Sequence, residues 1–151
     1  MPVSRATLIS SISYKNPRAA IAWLEKAFGF EVAMLIEDRE GHIVHSEMSF
    51  GASGVMVGGE WSEDHKSPAS IGGKNTQSVH IHIETDLDAH CERAGGAGAE
   101  IVMAPETQFY GDRTYRARDP EGHIWTVGQT VKAVSLEDAE ASTGLKITGW
   151  V

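Results

Sequence analysis

The sequence predicts an α+β fold made of two pseudo-symmetric βαβββ modules, each sheet curved around a shared cavity, with the helices outside. Three observations predict it. Each half of the chain reads as strand, helix and three further strands. The halves register on one another at a constant offset of 69. The 151 residues are 41% hydrophobic, enough to bury a single core.

In the first half, LISSISY alternates like a strand. In YKNPRAAIAWLEKAFGF, Asn16 stands where an N-cap accepts a backbone N–H, and Pro17 suits the first helical position. Ile21, Leu24 and Phe28 recur at three and four residues as a buried stripe, and Gly29 ends the helix. FEVAMLIED and HIVHSEMSF read as strands, GAS as a turn, and GVMVGG as a fourth strand. The second half repeats this order. SVHIHIETD is a strand and LDAHCERAGGAGA a helix; AEIVMAP, DRTYRARD and HIWTVGQ are strands, with the turn DPEGH before the last. At the offset, AFGFEVAM lies on GAGAEIVM, Ser11 and Ser13 fall on His80 and His82, and FGASGVMV falls on DPEGHIWT without a gap. Four elements at one offset indicate a repeated unit. The expected organisation is one domain over residues 1–131, with module 1 at about 7–60, a polar linker at 61–77 and module 2 at about 78–130. Residues 132–151 form a C-terminal extension. Its SLEDAEAS segment has a Ser135 start and first-turn acids suited to a short helix, and it ends in Trp150 and Val151. This tail is expected over a partner subunit or over the cavity mouth.

Composition excludes several classes of function. The 16 Gly and 5 Pro are scattered, so low complexity is not expected. A net charge of −8 argues against nucleic acid as partner. One cysteine, Cys91, suits a reducing cytoplasm. The start MPVSRATLIS lacks a leader's apolar core, and no apolar run approaches a membrane span. The expected location is cytoplasmic.

Strand alternation assigns the polar side chains to faces. Val79, Ile81 and Ile83 form an apolar face, so His80, His82 and Glu84 point toward the space between modules. His45, Glu47 and Ser49 share a face opposite Val44, Ser46 and Met48, and at the offset His45 and Glu47 correspond to Thr114 and Arg116. Glu47 and Arg116, opposite in charge, are expected to pair across the cavity. Trp125 and Val127 face the helices and leave Thr126 inward, with Val57 at the equivalent place in module 1. PETQFYGD reads as a loop at the cavity mouth, with Phe109 and Tyr110 available to stack on a ligand and Trp61 as another rim contact. Arg113, Arg116 and Arg118 form a charge run, and such runs usually face solvent. DPEGH is better read as a structural turn than as a catalytic Asp/His pair, because Asp-Pro sets the turn and Gly122 supplies the left-handed position.

LDAHCERAGGAGAEI followed by YGDRTYRARDPEGHIWTVGQ, together with HSEMSFGASGVMV, resembles the vicinal oxygen chelate superfamily of glyoxalase I, bleomycin-resistance proteins and extradiol dioxygenases. The match is nearest to its small glyoxalase/bleomycin-resistance-like branch and covers about residues 8–130. The resemblance implies four metal-ligand positions, on the first and last strand of each module. Here these carry Ser11 (Ile9 or Ser13 in a shifted register), a residue of Val55–Gly58, Ser78 or His80, and Trp125 or Thr126. At most one is a good ligand, so neither a glyoxalase-type metal nor another cofactor is expected. The alternative is a nonclassical Zn, Fe or Ni site of His80 and His82 with Glu47 or His45. The expected function is a homodimeric binding protein for a small organic, aromatic or antibiotic-like ligand. Its contacts would be His45, Glu47, His80, His82, Tyr110, Arg116 and Thr126. The alternative is a lyase, isomerase or dioxygenase of the superfamily with His45, Glu47 or His80 as general base.

Overall fold

Local signals set the elements much as the sequence predicts. Asn16 caps the first helix, its side chain accepting the Ala19 N–H at 3.1 Å. Asp86 caps the second through Ala89 N at 3.1 Å, and Ser135 caps the third through Asp138 N at 3.1 Å. A computed structural model describes residues 5–151. The first four residues of MPVSRATLIS lie outside the described residues. In chain order the elements are β1 (Ser10–Tyr14), α1 (Pro17–Phe28), β2 (Glu31–Glu37), β3 (Ile43–Phe50) and β4 (Ser53–Gly59), then β5 (Ser78–His82), α2 (Leu87–Gly96), β6 (Glu100–Thr107), β7 (Asp112–Arg118), β8 (Ile124–Thr130) and α3 (Leu136–Thr143).

Two four-stranded sheets result, ordered β1-β4-β3-β2 and β5-β8-β7-β6. In each, the first and last strands pair in parallel and the others antiparallel. Both halves are therefore one topology used twice. The registers correct the gapless overlay of FGASGVMV on DPEGHIWT. Ser49 pairs with Gly54 across the β3–β4 turn, whereas Arg118 pairs with Ile124 across the β7–β8 turn, so the second turn is one residue longer. After that turn the offset becomes 70. The inward residue of β4 equivalent to Thr126 is therefore Met56, while Val57 is fully buried in the core.

The modules join through one core. Trp125 of β8 lies under Phe28 and Phe30, with ring centroids 5.3 and 5.7 Å apart. α1 packs beside α2, and each supplies a donor to the other's C-terminal end. Arg93 donates to Lys26 O at 2.8 Å and Glu25 O at 3.0 Å, and Trp23 Nε1 donates to Ala97 O at 2.8 Å. These bonds satisfy carbonyls that a helix end leaves orphaned. DPEGH does more than turn the chain. Asp119, buried, takes the Tyr14 hydroxyl at 2.6 Å and Trp125 Nε1 at 3.1 Å on one oxygen, and the Glu121 and His123 backbone N–H groups on the other. Glu121 accepts the Lys15 and Asn16 N–H groups, and His123 Nε2 lies 2.8 Å from Ser13 O. One turn of module 2 thus clasps the β1–α1 junction of module 1. Burial first, and then the Asp119 carboxylate, push the Tyr14 phenol well above its ordinary range and keep it a donor.

His90 is a second link. Its ring lies between the Tyr115 hydroxyl at 2.6 Å and Phe28 O at 3.1 Å, and burial holds its pKa below the ordinary imidazole value. A depressed histidine pKa means that the unfolded chain binds the proton more readily, so stability rises with pH through this window. Urea unfolding is expected to show stability falling as pH drops below about 6.5. His90→Gln should flatten that part of the profile; an unchanged pH slope would rule His90 out as its source.

PETQFYGD is not a free loop. Pro105–Thr107 complete β6, and Gln108–Gly111 form a tight turn closed by Gln108 N to Asp112 O at 2.6 Å. The extension packs beside this turn. Val131 N and Lys132 N both bond Gly111 O, Ala139 of α3 is fully buried, and Trp150 Nε1 donates to Val134 O at 2.8 Å. The linker carries a single 3₁₀ turn, Pro68–Ser70, and buries Ser67, whose hydroxyl bonds Glu121 O at 3.5 Å.

Candidate functional site

The period-two alternation holds on the strands that matter. Ile81, Val55, Val57, Met48, Tyr115, Trp125 and Val127 are buried on the helix-bearing faces. His80 and His82, on the opposite face of β5, are exposed, as is Arg116 on β7. His45, Glu47 and Ser49 take the polar face of β3.

These residues fall into separate groups. His80, His82 and Glu84 line a groove of about 660 Å³ at the seam between modules. Its opposite wall is the β3–β4 turn, and its apolar lining includes Phe30, Phe50, Val55 and Ile81. A network orders His82: Thr130 donates to Asp112 Oδ1 at 2.8 Å and lies 3.1 Å from His82 Nε2. With the threonine proton committed, the network assigns the proton to Nε2 and leaves Nδ1 an open acceptor. His45 and Glu47 lie on the other sheet, 3.2 Å apart. Glu47 does not pair with Arg116 in this chain, which corrects the expected pairing. It accepts Arg5 at 2.7 Å instead, and that hydrogen bond, aided by His45, holds its carboxyl below the ordinary range. Arg116 donates to the buried Thr126 hydroxyl at 3.2 Å. Arg113 and Arg118 are tied to Asp88 and Glu100. Tyr110 is on the β6–β7 turn, edge-on to Phe109 at 5.2 Å and outside the seam groove, and burial raises its phenol pKa. Trp61 stacks on His65 at 3.9 Å and is otherwise exposed.

Phe30, Phe50 and Arg5 are site residues that sequence reasoning missed. Phe50 could have been found as the last residue of its strand before a tight turn. Nothing in the sequence pairs Arg5 with Glu47, because the two are 42 residues apart.

The strand registers decide the fit of the four metal-ligand positions. Ser11 lies beside Met56, and His80 beside Thr126. Two hydroxyls, a thioether and one imidazole are not the nitrogen and carboxylate donors that hold a divalent ion of the zinc type. The residues present do not fit that centre. Nor do His45 and Glu47 join His80 and His82. Among the described residues, the group of three whose ligand atoms converge within 4.8 Å is Asp38, Glu40 and His42, exposed on the β2–β3 turn.

Comparison with known proteins agrees with this architecture. The sequence model of the glyoxalase/bleomycin resistance protein/dioxygenase superfamily matches residues 8–127. An uncharacterized protein of Mycobacterium bovis is 31% identical over 128 residues, covering 82% of this chain and 83% of its own. Among solved structures, TioX from Micromonospora sp. ML1 is 28% identical with a TM-score of 0.64, covering 83% of this chain and 99% of its own. TnmS3, an antibiotic binding protein from Streptomyces sp. CB03234, shares the fold at 18% identity and a TM-score of 0.63, covering 86% of this chain and 98% of its own. No helix among the described residues is long and apolar enough to cross a membrane. Topology, repeat and sequence thus converge, and the chain belongs to the glyoxalase/bleomycin resistance protein/dioxygenase superfamily.

Proposed function

We propose that this protein binds a small organic ligand, aromatic or antibiotic-like, and does so without a glyoxalase-type metal. The observation that carries this reading is the seam groove. Its volume of about 660 Å³ falls in the range of about 300–1,000 Å³ usual for drug-sized ligands. Phe50 offers flat apolar contact backed by the buried Phe30, while the open His82 Nδ1 and the Glu84 carboxylate offer acceptors along one wall. A planar ligand with donor groups matches that lining. The antibiotic-binding name of TnmS3, a protein of the same fold, accords with it.

The test is a thermal-shift and fluorescence screen of planar aromatic antibiotics, paired with metal analysis of the purified protein. A hit should bind about tenfold more weakly to Phe50→Ala or His82→Ala, a loss of about 1.4 kcal/mol. One equivalent of Zn, Ni or Fe that disappears in His80→Ala or His82→Ala would overturn the metal-free reading. A second reading, an enzyme of the superfamily, is favoured by one observation: Glu47 orients the His45 imidazole on an open polar face, as a carboxylate orients a general base. Turnover of a bound ligand, abolished in His45→Ala, would replace binding by catalysis.

The working form we propose is a homodimer. β2 is exposed along its whole length, with Val32, Met34, Leu35 and Ile36 each 36–44% accessible. The polar face of the first sheet carries Glu47 and that of the second carries Arg116, so a second copy laid face to face would pair in trans what one chain leaves apart. Sedimentation should therefore give a dimer, and Met34→Glu with Ile36→Glu should give monomer; a wild-type monomer at tens of micromolar would sink the proposal.

A further inference from the structure

The pseudo-twofold that relates the modules also relates two seams, and the chain treats them oppositely. The seam groove described above joins β5 to the β3–β4 turn. Its symmetry mate joins β1 to the β7–β8 turn, through Ser11–Ser13 and His123–Trp125. The linker occurs once in the chain, and it covers only this second seam. Asn75 Nδ2 reaches Gly122 O at 3.5 Å, the Ser67 hydroxyl reaches Glu121 O, and Glu60 secures Ser67 N at 2.8 Å. What remains is a pocket of about 210 Å³, smaller than the range of about 300–1,000 Å³ for drug-sized ligands.

Its chemistry is inverted as well. The open seam is lined by one charged residue, Glu84, and by no lysine or arginine. The covered seam is lined by Lys66 and Lys74 against a single acid, Asp64, in a chain whose net charge is −8. Lys66 is 3.4 Å from a Glu63 that is 96% accessible, and it also feels the Glu60 carboxylate that holds Ser67 N, without an ion pair to it. Among the described residues, Lys74 forms no ion pair, and the Ser11, Ser13 and Thr76 hydroxyls have no side-chain partner. Two ammonium groups and three uncommitted hydroxyls around a small pocket suit a compact acceptor with several oxygens. We propose that the linker-covered seam is a binding site for a small oxyanion, a phosphate or carboxylate group, held by Lys66 and Lys74 and oriented by Ser11, Ser13 and Thr76. The site is distinct from the seam groove and does not depend on what that groove binds.

Calorimetric titration with inorganic phosphate, and separately with acetate, at constant ionic strength against a chloride control, tests it. Saturable binding of either is expected, and the stronger of the two identifies the head group. Lys74→Met should weaken that binding at least tenfold and Ser13→Ala several-fold, with melting temperatures near wild type because neither residue is in the core. Equal heats in phosphate, acetate and chloride would overturn the proposal. So would a saturable phosphate signal that Lys74→Met and Ser13→Ala both leave unchanged.

Discussion

Replacing Asp119 by Ala is expected to destabilise the fold by about 3–5 kcal/mol, the cost of leaving several buried donors without their acceptor. Four donors converge on this carboxylate, and two of them, the Tyr14 hydroxyl and the Trp125 indole, share its Oδ2. Tyr14 and Trp125 are among the most deeply buried side chains of the protein, so the orphaned donors cannot be hydrated cheaply. The same substitution loosens the turn that clasps the start of α1 through Glu121. Denaturant unfolding measures the effect. Tyr14→Phe, which removes one of the four bonds and leaves a flat ring in place, should cost only about 1–2 kcal/mol. If Asp119→Ala cost less than Tyr14→Phe, the clasp would not be what joins the modules.

Gly111→Ala is expected to release the C-terminal extension. Gly111 has φ of +100°, a left-handed conformation that a side chain occupies at a cost of about 1–3 kcal/mol. A β-carbon there would also press into the Lys132 carbonyl oxygen, a backbone atom with no room to yield while Val131 N and Lys132 N bond Gly111 O. The strain therefore falls on the junction where the extension leaves β8. Limited proteolysis should cut the variant between residues 131 and 136 much faster than the wild type. The seam groove lies elsewhere, so ligand binding there should survive. An undiminished protease resistance would show that α3 and Trp150 hold the extension without this anchor.

The extension illustrates which features were legible in the sequence. Its helix was, because Ser135 and the acids after it are a local capping signal. Its resting place was not, because the anchor is a carbonyl some twenty residues back on a turn that PETQFYGD, with its proline and glycine, presents as a loop. The face assignments of His80, His82, His45 and Glu47 came out as the alternation predicts, since the pleat is a property of each strand alone. The partners of those side chains did not. Symmetry and charge match Glu47 to Arg116, yet Arg5 takes it in this chain.

The sequence by itself determined the repeat, the kind and order of the elements, and which face of each strand is polar. Those follow from periodicities of two and 3.6 and from caps within a few residues. Tertiary structure alone decided three things. One extra residue in the β7–β8 turn put Met56, not Val57, at the fourth inward position. The single linker closed one seam and left the other open. DPEGH became a clasp rather than only a turn, because Tyr14 lies 105 residues away in the chain and 2.6 Å away in space. Each depends on atoms brought together by packing, and no local pattern carries that information.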